Sequence, residues 1–183
     1  VVPGLDVKII PNAIPNQHNN IEFTNSQDIL FIGRNEKRKN FKLYYQLSNL
    51  LKNSTYNFRA ITNKYIFSPN IELFINPDDE IKNEVLKGSS IYLAVNTHGE
   101  SFGITILEAI NAGCTAVCSD ISAFKDLLGD SGVYFKNNNL EDLKQTVEQL
   151  DTDDIKTIYN KQKTNSEKYK EDKEMQCWIS LYT

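Results

Sequence analysis

Short apolar runs alternate with segments of helical period along almost the whole chain. Val7–Pro11, Ile29–Gly33, Tyr56–Thr62, Ile71–Ile75, Ser90–Asn96, Thr115–Ser119 and Gly132–Phe135 read as strands. Between them, Phe41, Leu43, Tyr44, Leu47, Leu50 and Leu51 recur at i, i+3 and i+4, which predicts a helix over residues 40–53. Further helices are predicted near Asp79–Lys87, after Gly103, near Ala123–Leu128 and near Leu140–Leu150. Strands that are apolar without alternation, separated by helices, indicate a parallel sheet covered on both faces. The fold class is therefore α/β, a doubly wound Rossmann-like sheet over residues 1–150, followed by a more polar helical tail over residues 151–183.

In such sheets a ligand sits beyond the carboxyl ends of the strands. That directs attention to the ends after Gly33, Thr62, Ile75 and Asn96. Composition narrows the chemistry. The chain has 183 residues and a net charge of −4, so no global basic field invites nucleic acid. No apolar run approaches the roughly 18–20 residues of a membrane span. Three cysteines, Cys114, Cys118 and Cys177, are an odd number without metal-ligand spacing, so they are expected to be free thiols of a reducing cytoplasm, Cys114 and Cys118 as packing residues. No metal site is expected.

Two loops carry chemistry. After the strand ending at Gly33 come Arg34, Lys37, Arg38 and Lys39, just before a helix. Cations beside free backbone donors suit a phosphate, although a charge run can equally be a solvated loop. Neither G-x-x-x-x-G-K-[ST] nor G-x-G-x-x-G occurs. The second loop is "THGESFGITILEA", in which Gly99, Ser101 and Gly103 let the backbone turn closely about a ligand. Ser101 or a neighbour is expected to cap the helix, leaving the N–H groups of Phe102 to Thr105 facing an anion. Glu100 can serve as a helix-start carboxylate or as a ligand contact. Glu108 lies among Ile104, Ile106, Leu107 and Ile110, which predicts a buried carboxylate in need of a partner. That partner is either a salt bridge or the hydroxyls of a ligand. His98 beside the motif can be a ligand contact or incidental, and Trp178, Leu181 and Tyr182 read as a docking surface of the tail.

The spacing Glu100-x7-Glu108, followed by "AINAG", resembles the signature of retaining glycosyltransferases of the GT-B fold, in particular glycosyltransferase family 4. "VKIIPNAIP", "ILFIGRNEKRKNF", "CTAVCSDISAFKDLLGDSGVYF" and "NNLEDLKQTVEQL" resemble further segments of the same family, in the same order. The resemblance covers most of the chain and matches the C-terminal, donor-binding half of such enzymes. It implies that Arg34 and Lys39 bind the donor diphosphate beside Gly33. It also implies that Glu100 contacts the transferred sugar, that Ser101 to Thr105 (Phe102, Gly103 and Ile104 between them) form the turn whose backbone donors hold sugar and phosphate, and that Glu108 accepts from the ribose. Arg34, Lys39 and Glu100 would be the catalytic set.

The implied substrate is a UDP-, GDP- or ADP-sugar, with no cofactor. The implied acceptor is a glycan, lipid-linked glycan or protein hydroxyl, bound by an N-terminal acceptor domain that this chain lacks. The expected setting is cell-surface polysaccharide biosynthesis in the cytoplasm, peripheral to the inner face of the membrane through that domain. A nucleotide-sugar-binding module without catalysis, or a GT-B-related epimerase, are the competing readings. Asn40, Ile75, Ser101 and Thr115 depart from the family pattern, which commonly has glycine, glycine, glycine and proline there. The chain starts without methionine, and it is expected to be part of a longer enzyme.

Overall fold

The computed structural model describes residues 12–14 and 22–182, the side chains of Leu181 and Tyr182 excepted. The strand expected at Val7–Pro11, and His18, lie outside the described residues. Six strands form one sheet: β1 (Asp28–Ile32), β2 (Asn57–Thr62), β3 (Ile71–Ile75), β4 (Ile91–Ala94), β5 (Thr115–Ser119) and β6 (Val133–Phe135). Their spatial order is β3-β2-β1-β4-β5-β6, and every neighbouring pair is parallel. Among the described residues seven α-helices accompany them: α1 (Phe41–Leu50), α2 (Asp79–Lys87), α3 (Ile104–Asn111), α4 (Ser122–Leu128), α5 (Leu140–Glu148), α6 (Thr152–Ser166) and α7 (Glu171–Tyr182). The Rossmann-like doubly wound sheet expected from the apolar strands is the observed architecture.

The strands are apolar on consecutive positions because each face has its own core. Ile29 and Phe31 of β1 pack with Phe41, Tyr44 and Leu47 of α1 and with Leu143 and Val147 of α5. Leu30, between them, belongs to the opposite core with Ile106, Leu107 and Ile110 of α3 and Tyr159 of α6. The two-residue alternation of strand side chains divides one apolar run between two layers. Tyr44 is fully buried, and its hydroxyl lies 2.7 Å from the carbonyl oxygens of both Ile29 and Arg59.

The change in polarity at Asp151 is not a break in packing. Gln162 of α6 is completely buried; its amide donates to the carbonyl of Ala116 and accepts from the Ala116 N–H, each at 2.8 Å. β6 pairs with β5 only from Val117 onward, so this side chain occupies the place a strand would take beside Ala116. Thr115, where the resembled family usually has proline, donates its hydroxyl to the carbonyl of Ile155. Buried Cys114 and Cys118 behave as packing residues; burial pushes both thiols well above their usual range. α7 is different: Met175, Trp178 and Ile179 are exposed.

Two departures from the family pattern have a backbone explanation. Asn40 and Asn76 both adopt left-handed conformations, with φ of 52° and 44°. Asparagine tolerates this region better than other side-chain-bearing residues, because its short amide can bond locally. The turn after β3 thus places its left-handed residue at Asn76, leaving Ile75 in the strand.

Candidate functional site

From β1 the chain steps outward to β2 and β3, then crosses back through α2 to β4 on the other side of β1. The loops leaving β1 and β4 therefore diverge at the point where strand order reverses, which is where α/β sheets bind ligands. Both chemically loaded loops, residues 33–40 and 95–103, lie there. Their backbones are tied together: Thr97 N–H donates to the carbonyl of Arg38 at 2.9 Å, and Arg38 Nη1 donates to the carbonyl of Gly99 at 3.2 Å. Gly33 is required by crowding, since a Cβ there would stand 2.8 Å from the Phe31 ring and 3.3 Å from Lys39 Cβ.

Glu100 is held from several sides. Its Oε2 accepts from Lys39 Nζ at 2.6 Å and from Asn96 Nδ2 at 2.7 Å, with Arg38 Nη1 at 3.7 Å. The Lys39 and Glu100 side chains are only 16% and 17% exposed. Asn96 is itself buried, and its carbonyl accepts from Ser119 Oγ at 2.6 Å. Arg38 is restrained in turn by Glu36 Oε2 at 2.9 Å. All these contacts fall on one oxygen; among the described residues no group donates to Oε1.

Glu108, just over one turn into α3, is half-buried rather than buried. Lys82 of α2 places Nζ 3.1 Å from both its oxygens, the pair being 30% and 33% exposed. The salt-bridge alternative for Glu108 is thus realised, at the rim of the cleft. The rest of α3 is largely buried, as its apolar residues suggest, but Ile104 at its first turn is 44% exposed. Ser101 does not cap that helix. Gly103 is the N-cap, at φ 96°, and no side chain caps the first turn. A Cβ at Gly103 would meet Leu127, Ile106 and Phe124 at 3.2–3.4 Å in addition to the left-handed strain. The positive end of α3 is therefore formed by backbone N–H groups.

A cleft of about 360 Å³ opens between these elements. Gly33, Arg34, Arg38 and Lys39 line one side, Thr62, Asn63, Asn76 and Pro77 another, with Lys82 and Thr105 between. Among the described residues Arg34 forms no ion pair, so it is a cation available to a ligand. Of the residues singled out in the sequence, Gly33, Arg34, Arg38, Lys39 and Thr105 line the cleft directly. Glu100 and Glu108 reach it through Lys39 and Lys82. Ser101 is exposed, whereas Phe102 packs edge-on against Tyr169 at 5.3 Å and serves as an anchor of its loop. His98 is exposed, with Nδ1 2.8 Å from Thr97 Oγ1.

Residues 14–170 match the family described as Glycosyl transferases group 1. The chain belongs to that family. A 56-residue stretch is 45% identical to phosphatidyl-myo-inositol mannosyltransferase of Mycobacterium tuberculosis, covering 31% of this chain and 15% of that protein. A 53-residue stretch is 47% identical to the enzyme of that name from Propionibacterium freudenreichii, covering 29% and 14%. Among solved structures, a TarM variant from S. aureus in complex with Fondaparinux, alpha-GlcNAc-glycerol and UDP superposes with a TM-score of 0.78 at 18% identity, covering 98% of this chain and 40% of that one. Anabaena Alr3699/HepE in complex with UDP-glucose gives 0.72 at 13% identity, covering 86% and 49%. The fold is that of the Rossmann-like unit of GT-B glycosyltransferases. The chain spans less than half the length of these solved relatives.

In this group 1 glycosyltransferase domain, three residues escaped the reading of the sequence as site residues. Arg38 was visible only as one of four loop cations; its bridging of Glu36, Glu100 and Gly99 needs the fold. Asn96 looked like the polar end of a strand. Lys82 gave no signal, because one lysine on an amphipathic helix is an ordinary solvated residue.

Proposed function

We propose that this chain is the donor-binding domain of a retaining, family 4-type glycosyltransferase. Its substrate is a UDP-, GDP- or ADP-sugar, and no cofactor takes part. An acceptor-binding domain outside this chain presents the hydroxyl of a glycan, lipid-linked glycan or protein. The observation that carries this reading is the cleft at the reversal of strand order, where Arg34, Lys39 and the uncapped start of α3 converge with Glu100 and Glu108. The UDP in the TarM variant complex and the UDP-glucose in the HepE complex support the donor class.

In the reaction, the bond between the anomeric carbon and the donor diphosphate breaks, and its electron pair goes to the diphosphate oxygen. The acceptor oxygen bonds to the same face of that carbon, and its proton is released. Arg34, Lys39 and the α3 N–H groups neutralise the developing negative charge, which is electrostatic stabilisation by preorganised donors. Lys39 is already held by Glu100, and Asn96 holds Glu100 in turn, so the cation enters the reaction oriented. Glu100 keeps one oxygen for these partners and offers the other to a sugar hydroxyl. It is a positioning acceptor and not a nucleophile. Glu108 accepts from the ribose.

Calorimetric titration of the chain with UDP, GDP and ADP tests this. At least one nucleoside diphosphate is expected to bind, with Lys39→Ala weakening it by about tenfold or more. Absence of binding by all three to the folded chain overturns the reading. Binding by the chain, combined with no sugar transfer by the full-length protein, selects instead the reading of a nucleotide-sugar-binding module.

A further inference from the structure

We propose that Lys82 is a positioning residue for Glu108, and that the pair sets the preference of the site for ribonucleotides over deoxyribonucleotides. This rests on the assignment of the cleft to a nucleoside diphosphate. Lys82 Nζ lies 3.1 Å from both oxygens of Glu108, so a single ammonium holds the whole carboxylate in one orientation. The platform is firm. α2 is capped by Asp78, whose side chain accepts from the Ile81 N–H at 2.9 Å, and Val85 and Leu86 bury its inner face. Without Lys82, Glu108 would be a side chain with three free torsions at a half-open cleft. Ordering it would then cost the binding step rotamer entropy.

The pair is also chemically complete for a hydroxyl. An ammonium has three donors and no acceptor, whereas an ionised carboxylate only accepts. With two donors directed at Glu108, the third is available to the cleft that Lys82 lines. A ribose hydroxyl can donate to Glu108 and accept from Lys82 at once; a deoxy position can do neither. Loss of a hydrogen bond to a charged group costs more than loss of a neutral one, because the charge is left unpaired in a partly desolvated site. Lys82 therefore does not act as another phosphate cation. Both its contacts on Glu108 spread one ammonium over the whole carboxylate, whereas Arg34 has no ion pair among the described residues.

The test is titration of the chain with a nucleoside diphosphate that binds it, and with the 2′-deoxy and 3′-deoxy forms of that nucleotide. The wild-type chain is expected to prefer the ribonucleotide over at least one deoxy form by about tenfold or more. Lys82→Met should reduce this ratio to within about threefold of unity, and Lys82→Arg should restore most of it. In a double-mutant cycle on the ratio, Lys82→Met and Glu108→Gln should be non-additive, since both remove one device. Retention of the full ratio by Lys82→Met, or additive effects of the two changes, overturns the inference. So does a uniform loss of affinity for all three nucleotides with the ratio intact, which would make Lys82 a phosphate contact. A wild-type chain that binds nucleotides without any preference for ribose refutes the Lys82 inference alone. One that binds no nucleotide refutes the assignment of the cleft itself.

Discussion

Glu100 and Glu108 belong to one motif and border one cleft, yet the protein treats them differently. Glu100 sits in a loop, nearly buried, with Lys39, Asn96 and Arg38 converging on one oxygen. Glu108 sits on a helix, half exposed, with one lysine spread over both oxygens. A unit-charge pair about 3 Å apart attracts by roughly 5–6 kcal/mol at an effective dielectric near 20, before the opposing cost of desolvation. That attraction counts for most where water is excluded, which is the Glu100 side. On the proposed reading the two carboxylates have separate tasks: Glu100 is fixed where charge develops, and Glu108 is oriented by Lys82 where a nucleoside is recognised.

The largest expected effect breaks the first half of this comparison. In the full-length enzyme, Glu100→Gln should lower kcat/KM by about 100-fold or more, since it removes both the sugar acceptor and the counter-charge that orients Lys39. Steady-state transfer kinetics measure this. Glu108→Gln should raise the donor KM by about tenfold with a much smaller change in kcat, because it touches binding rather than the reacting centre. Equal loss of kcat in both variants would erase the distinction. The smallest effect is on stability. Tyr92 is buried beneath the site, and its pKa is held well above the usual value mainly by burial, with Cys118 and both glutamates adding to it. Tyr134 is pushed up to about 12 for the same leading reason. A raised pKa means the folded state keeps its proton longer, so this contribution is fully present below about pH 10, the ordinary tyrosine value. It is lost as pH rises through the folded-state values. Thermal melts at pH 8, 10 and 11.5 should show a falling midpoint.

Much of this molecule was legible in one dimension. The β2, β3 and β5 runs, the helical period of α1 and the Asp79–Lys87 helix appear with their boundaries nearly unchanged, because apolar periodicity is a local consequence of burial. The double-glutamate spacing and the basic loop were equally visible. The helix start was placed only to within a few residues. Ser101 is a good capping residue by type, but the crowded approach of Leu127, Phe124 and Ile106 selects Gly103 as the turning point. Leu127 and Phe124 come from α4, and no local rule reports them. Ile104 was grouped with the apolar neighbours of Glu108, but at the first turn of α3 it is 44% exposed.

The sequence by itself determined the layered α/β class, the two loops that carry charge and the presence of two acceptors eight residues apart. These depend on neighbours along the chain, where residue type and spacing suffice. Only the tertiary structure decided which cation serves which carboxylate. Lys39 meets Glu100 across 61 residues and Lys82 meets Glu108 across 26. Both pairings follow from the crossover that places β4 beside β1, which is settled by the joint packing of two cores and not by any single segment.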